Sequence, residues 1–157
     1  MATRISGETP SVSDAYNGKE SRKEDSASRG LTILAVDDEP FLLEYVCRVL
    51  QRCGHRLLLA DNGGKAWAIF EDGLSEIDLV LTDLVMPGSF DGLELAKRIR
   101  RCRPHVPVLF MTGAPQSDPV TAKLYRNRLL LKKPFYPDQL VAMVQDQIPC
   151  PGLAPYV

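Results

Sequence analysis

The sequence places acidic, hydroxyl and amino side chains directly after four of its short apolar runs. If those runs are parallel strands, their carboxyl ends meet at one edge of a sheet, where sheets of this kind bind ligands. Three aspartates brought together repel one another unless a cation lies among them, and their oxygens suit a hard ion such as Mg²⁺. A lysine and a hydroxyl beside that ion would bind a phosphate. The residues concerned are Asp37, Asp38, Asp83, Thr112 and Lys133.

The segments that must position these residues alternate between apolar runs and amphipathic stretches. Short apolar runs predict strands that are buried on both faces, and the stretches between them have the periodicity and the start signals of helices. This alternation predicts an α/β protein with a five-stranded parallel sheet covered by helices on both faces. The predicted strands are 31–36, 56–60, 77–82, 106–111 and 128–131, and the helical segments begin near Pro40, Asn62, Asp91, Asp118 and Pro137, the last running to Ile148.

The composition argues against several classes of protein. Nineteen Lys and Arg against twenty Asp and Glu give a net charge of −1, whereas electrostatic nucleic-acid binders usually carry a basic excess. No apolar run approaches the roughly 20 residues needed to span a bilayer, and the first ten residues contain no apolar signal-peptide core. We therefore expect a cytoplasmic protein without membrane insertion or direct nucleic-acid contact.

The cysteines and histidines do not form a metal-binding or disulfide pattern. Cys47, Cys53, Cys102 and Cys150 contain no C-x-x-C pair, and neither histidine lies at zinc-ligand spacing from a cysteine. We expect neither a structural zinc site nor a disulfide framework.

The chain divides into three parts by composition. Residues 1–30 contain six serines and five charges of each sign, with no Leu, Phe or Trp, which predicts a disordered leader. Residues 31–148 have the alternating pattern of a globular domain. Residues 149–157 contain three prolines and a glycine, so they predict a tail that does not continue the last helix.

Each candidate residue has an ordinary structural interpretation when it is taken alone. Asp38 could cap the first helix, and Asp83 could be a turn residue before Pro87. Thr112 could end a strand, and Lys133 could be a solvated surface charge. These interpretations weaken when all of the residues fall at the same edge of one sheet.

The ordered set resembles the receiver domain of two-component response regulators, over about Leu31 to Ile148. The resemblance rests on Asp37-Asp38 after LTILAV, Asp83 in LVLTDLVMPG, Asp91-Gly92, Thr112-Gly113 and Lys133-Pro134-Phe135. It implies a flavodoxin-like, doubly wound sheet with strand order 2-1-3-4-5. It also implies a bacterial protein. Because few residues follow the receiver, the resemblance is to the single-domain type of regulator.

The resemblance implies a phosphorylation switch. Asp83 would accept a phosphoryl group from a sensor histidine kinase or a histidine phosphotransfer protein, and Lys133 and Thr112 would bind its oxygens. Mg²⁺ would be held by Asp37, Asp38, Asp83 and the backbone carbonyl of Val85. The readout would be a population shift that alters binding to a downstream protein, or onward phosphotransfer.

The sequence departs from the family pattern at two places. Many receivers carry an aromatic residue three positions before the lysine, where this chain has Leu130. Pro115 and Pro119 lie close after Thr112, which predicts a shortened or shifted fourth helix.

The apolar Val85 and Ala114 offer no group to position an attacking water, so we expect slow self-hydrolysis of the phosphorylated state.

Two other functions are kept as alternatives. An aspartyl-nucleophile phosphohydrolase would show an Asp-x-Asp at the end of the first strand, whereas here the two acids are adjacent and the candidate nucleophile follows the third strand. A receiver-like scaffold that is never phosphorylated would not need the full set of acids, threonine and lysine. On this basis we expect a signalling protein, not an enzyme, that catalyses only its own phosphoryl transfer and dephosphorylation.

Overall fold

The computed structural model describes residues 30–72, 76–115 and 117–147, which form five strands and five helices in strict alternation. The short apolar runs of the sequence predicted this arrangement. Four of the five strands are buried along all or nearly all of their length. In chain order the elements are β1 (Thr32–Val36), α1 (Pro40–Arg52), β2 (Arg56–Ala60), α2 (Gly63–Glu71), β3 (Leu79–Asp83), α3 (Gly92–Cys102), β4 (Val108–Thr112), α4 (Pro119–Arg126), β5 (Leu130–Lys132) and α5 (Pro137–Gln145).

All strand pairs are parallel, and the sheet order is β2-β1-β3-β4-β5. Two apolar cores lie on opposite faces of the sheet. One contains buried side chains of α1 and α5, and the other contains those of α2 and α3 together with part of α4. This doubly wound arrangement confirms the predicted fold class and strand order.

Three strands are shifted along the chain relative to the prediction from sequence. β3, β4 and β5 each begin two residues later and end one residue later than predicted. At β4 the preceding residue is Pro107, which has no N–H to donate to a neighbouring strand. Before β5, Arg128 has a φ of 56° and therefore cannot be part of an extended strand. The later ends place Asp83 and Thr112 inside strands.

The helix starts agree with the predicted capping residues. The side chains of Asn62, Asp91 and Asp118 each accept a hydrogen bond from a backbone N–H three residues later, at the starts of α2, α3 and α4. α1 differs, because its N-cap is Glu39 and makes no side-chain cap bond. The structure therefore does not support a capping role for Asp38. At eight residues, α4 is the shortest of the five helices, as the nearby prolines predicted.

Some sequence predictions lie beyond the described part of the chain. They concern the leader, the tail and Ile148. Gly30, the last residue of the predicted leader, is described. Within the described residues, Phe41 in the first turn of α1 is a large apolar residue that is 86% exposed. None of the described helices combines the length and the apolar character needed to cross a bilayer.

Candidate functional site

The carboxyl ends of β1, β3, β4 and β5 bring the predicted site residues to one rim of the sheet. Asp37 directly follows β1, Asp83 and Thr112 are the last residues of β3 and β4, and Lys133 directly follows β5. Asp38 lies beside Asp37, and carboxylate oxygens of the three aspartates come within 4.8 Å of one another. We call these five residues the acidic rim.

Lys133 is the centre of the acidic rim. Its Nζ donates hydrogen bonds of 2.7 Å to Oδ2 of Asp37 and of 2.7 Å to Oδ2 of Asp83. Asp37 is fully buried, and the side chain of Lys133 is only 15% exposed. One ammonium group therefore joins two carboxylates that come from different strands, in a setting with little water to screen them.

The remaining carboxylate oxygens are held by the backbone. Oδ1 of Asp37 accepts a 2.9 Å hydrogen bond from the N–H of Glu39, and Oδ1 of Asp83 accepts a 3.0 Å bond from the N–H of Val85. Each of the two carboxylates thus has one oxygen on the backbone and the other on Lys133. Both orientations are fixed by these charge-assisted bonds before any ligand arrives.

Burial and pairing shift the ionisation of this cluster. Burial raises the pKa of Asp37, and the hydrogen bond from Lys133 offsets only part of that rise. Burial acts to lower the pKa of Lys133, but its hydrogen bonds to Asp37 and Asp83 outweigh burial and raise it above the ordinary value of 10.5. The stabilisation from the lysine charge is therefore fully present below pH 10.5 and is lost as the pH rises through the raised value.

The donor set fits a divalent cation. Three carboxylates face a single ammonium group, so the cluster retains a negative charge that a second cation would neutralise. Carboxylate oxygens are the ligands that Mg²⁺ prefers, and it commonly takes one or two of them together with water and phosphate oxygens. Asp38 is exposed, so it offers its oxygens at the open side of the cluster.

Thr112 is buried beside the lysine. Its carbonyl oxygen accepts a 2.8 Å hydrogen bond from the N–H of Lys133, which ties the end of β4 to the residue after β5. Its Oγ1 accepts a 3.1 Å bond from the N–H of Ala114. Because this bond uses a lone pair of the oxygen, the hydroxyl can still donate its hydrogen to a ligand.

Two contacts that support the rim were missed by reasoning from the sequence. A Cβ on Gly92 would lie 2.0 Å from the carbonyl oxygen of Asp83, so only glycine allows α3 to start this close to β3. Tyr45 of α1 packs against Phe135, with ring centroids 6.0 Å apart, and its hydroxyl donates to the Phe135 carbonyl at 3.4 Å. The second contact fixes the loop that follows Lys133. For the contact between Gly92 and Asp83, the available sequence signal was a glycine directly after the capping Asp91.

Leu130 occupies a buried position of β5, where its side chain is 7% exposed and belongs to the core under α2 and α3. It pairs in register with Phe110 of β4, two residues before Thr112. The position that many receivers give to an aromatic side chain is therefore filled here by a packed aliphatic one.

Comparison with known proteins agrees with this geometry. The family model for the response regulator receiver domain matches residues 33–145. The response regulator receiver protein CpdR of Brucella abortus is 30% identical over 122 residues, with 74% of this chain and 95% of CpdR covered. The phosphate regulon regulator PhoB of Pseudomonas aeruginosa is 34% identical over 124 residues, with 74% of this chain and 51% of PhoB covered.

Solved structures give the same result. The response regulator TrrA of Thermotoga maritima, in complex with Mg²⁺ and BeF, is 30% identical with a TM-score of 0.65, covering 75% of this chain and 99% of TrrA. The chain spans about half the length of PhoB (51%) and of YbdJ from Bacillus subtilis (52%), and nearly all of CpdR. With its sheet order, its acidic rim and a family match over most of its length, the chain belongs to the response regulator receiver domain family.

Proposed function

We propose that Asp83 is the phosphoacceptor of this receiver. The observation that carries the proposal is the pair of 2.7 Å bonds from Lys133 to Asp37 and Asp83, which places a cation directly on the candidate nucleophile. A carboxylate oxygen of Asp83 would attack the phosphorus of a phosphohistidine, forming a P–O bond as the P–N bond breaks. The imidazole would leave with the bonding electron pair, and an acyl phosphate would remain on Asp83.

Each neighbouring side chain has a proposed part in this transfer. Lys133 would pair with one phosphoryl oxygen, and the hydroxyl of Thr112 would donate to another. Asp37, Asp38, Asp83 and the carbonyl of Val85 would hold Mg²⁺, which supplies neutralisation of the charge on the transferring group. The backbone bonds from Glu39 and Val85 keep the carboxylates oriented throughout, so catalysis is mainly positioning and electrostatics.

The receiver is a signalling domain, and the finer points of its role are part of the proposal. We expect catalysis only of its own phosphorylation and dephosphorylation. The phosphoryl donor would be a sensor histidine kinase or a histidine phosphotransfer protein in the cytoplasm, and a downstream protein would read the altered surface. Val85 is 64% exposed and apolar, so it offers no group to orient a hydrolytic water. A long-lived phosphorylated state follows.

Intact-mass spectrometry with acetyl phosphate and Mg²⁺ tests the phosphoacceptor. The parent protein should gain the mass of one phosphoryl group, and Asp83→Asn should gain none. Asp91→Asn is the matched control, because Asp91 caps α3 and asparagine also caps helices. Equal labelling of Asp83→Asn and the parent protein would overturn the assignment. Steady turnover of a small phosphate ester by the parent would favour the hydrolase instead.

A further inference from the structure

Charge is distributed unevenly along this nearly neutral chain. Residues 95–137 contain ten Lys and Arg and a single acid, Asp118, which leaves nine basic and nineteen acidic residues for the remainder of the chain. A net charge of −1 therefore hides a strongly basic segment. That segment covers most of α3, then α4 and β5.

Five of these ten basic residues lie at the edge of the sheet opposite the acidic rim. α3 leads into β4 and α4 leads into β5, and these two strands are parallel neighbours. The last turns of both helices therefore lie at the edge where the strands begin. Five exposed residues in and just after these turns form what we call the basic edge: Arg100, Arg101, Lys123, Arg126 and Arg128.

The basic edge can be compared with the ion pairs that the described residues form. Two exposed basic side chains elsewhere on the surface do pair with an acid one turn away, Arg48 with Glu44 and Lys65 with Asp61. Among the residues that the structure describes, no carboxylate forms an ion pair with any member of the basic edge. Exposed cations without partners are available to an external anion at little desolvation cost.

Helix dipoles account for four of the five positions but not for Arg128. The other four lie in last turns, where positive charge is favoured. Arg128 instead follows the helix with a left-handed φ of 56°. Its N–H donates to the carbonyl of Tyr125, and the N–H of Leu129 donates to that of Leu124, both at 3.0 Å. These bonds form a Schellman motif, in which the left-handed position usually belongs to glycine.

The same motif at the end of α1 uses the expected residue. Gly54 has a φ of 85°, its N–H donates to the carbonyl of Gln51, and the N–H of His55 donates to that of Leu50. One molecule thus has glycine at one such turn and a strained arginine at the other. Strained backbone positions cluster at functional sites, so Arg128 is a starting point for a functional hypothesis.

We propose that the basic edge is a docking surface for an acidic segment of a partner protein. Arginine dominates it, and guanidinium groups form forked bonds with carboxylates. The acidic segment is favoured over nucleic acid because a short segment contacts the basic edge alone, whereas an extended polyanion would also meet the rest of the chain, where nineteen acidic residues outnumber nine basic ones. Strands of five residues separate the two edges by roughly 16 Å, about twice the screening length at physiological salt. Docking should therefore be independent of phosphorylation at the acidic rim.

Fluorescence anisotropy with a labelled oligo-glutamate peptide tests this proposal. The parent protein should bind the peptide more weakly as salt is raised, and it should not bind a matched oligo-glutamine peptide. Affinity should be the same with and without acetyl phosphate and Mg²⁺, and in Asp83→Asn. Because this readout does not use phosphorylation, its result is separate from that of the phosphoacceptor test. Binding of duplex DNA or of anionic vesicles in preference to the peptide would overturn the proposal, and so would binding to none of them.

Substitutions locate the surface. The double variant Arg100→Glu/Arg126→Glu should weaken peptide binding by at least about tenfold. Arg128→Gly should weaken it by about two- to fivefold while relieving the left-handed strain, so a loss of affinity could not be attributed to unfolding. Arg52→Glu is the matched control, because Arg52 is exposed in the last turn of α1, a helix on the other face. An unchanged affinity in Arg128→Gly, or an equal loss in Arg52→Glu, would contradict the assignment.

Discussion

The two edges of the sheet handle charge in opposite ways. At the acidic rim, buried carboxylates of Asp37 and Asp83 share one lysine through 2.7 Å bonds, and the backbone holds their other oxygens. At the basic edge, five cations stand exposed with no ion pair to a described carboxylate. The rim has a single fixed geometry, whereas the edge has long side chains free to adapt to a partner.

This difference follows from burial. Buried charges are costly unless they are paired and hydrogen-bonded, so the acidic rim depends on accurate backbone positions. Exposed charges are screened and individually weak, so the basic edge depends on their number. We therefore expect substitutions at the rim to change stability strongly, and substitutions at the edge to change binding with little effect on stability.

The largest expected effect comes from closing the space beside Asp83. In Gly92→Ala the new Cβ would meet the Asp83 carbonyl oxygen at 2.0 Å, so strand and helix must move apart. We expect a loss of about 3 kcal/mol in unfolding free energy, measured by urea denaturation. Gly113→Ala is the control, since nothing lies within 4 Å of a Cβ there, and its stability should stay within about 0.5 kcal/mol of the parent. Equal effects of the two substitutions would show that close packing at the rim is unimportant.

Removing the lysine should have the next largest effect. Lys133→Ala leaves the fully buried Asp37 without its cation. We expect a loss of about 2 kcal/mol in unfolding free energy, measured in the presence of EDTA. This is less than the full cost of an unpaired buried charge, because Lys133 is partly exposed. Mg²⁺ should raise the melting temperature of this variant more than that of the parent, since the metal would replace the missing charge. Arg126→Ala at the basic edge should change stability by less than about 0.5 kcal/mol. A Mg²⁺ response no larger than that of the parent would contradict a cation site at the rim.

Substitutions at the two Schellman turns should change stability by smaller amounts, in opposite directions. Arg128→Gly should stabilise the protein by about 0.5–1 kcal/mol, because glycine adopts a positive φ without steric strain. Gly54→Ala should destabilise it by about 1 kcal/mol for the same reason, as a Cβ there has open space and only the backbone is strained. Chemical denaturation measures both. If Arg128→Gly were destabilising, the arginine would have a structural role that the geometry does not account for.

The smallest effect is a pH dependence remote from the rim. Nδ1 of His55 accepts a 3.1 Å hydrogen bond from the N–H of Leu31, and burial lowers the pKa of His55 below 6.5. Protonation is therefore less favourable in the folded state, so stability should decline as the pH falls below 6.5. His55→Asn should show a flatter profile between pH 7 and pH 5.5, the range around the ordinary histidine pKa, and the slope of each profile is measured over that range. A parent profile as flat as that of His55→Asn would remove this assignment.

The sequence was sufficient to predict the fold class and to collect the rim residues. Strand ends in a parallel sheet meet at one edge, so Asp37, Asp83, Thr112 and Lys133 could be grouped without coordinates. The pairing within that group could not be predicted, because the reach of Lys133 to both carboxylates depends on side-chain rotamers. The strand starts were misplaced where a local backbone feature, such as the left-handed Arg128, overrides apolar periodicity. The role of Gly92 depends on how closely α3 approaches β3, which no local pattern specifies.

Locating the modified residue decides whether Asp83 carries the phosphoryl group. The protein would be incubated with acetyl phosphate and Mg²⁺, the acyl phosphate reduced with borohydride, and the modified residue identified by peptide fragmentation in a mass spectrometer. Reduction converts an aspartyl phosphate to homoserine, so we expect homoserine at position 83 alone. Homoserine at position 37 or 38, or at none of the three, would contradict it.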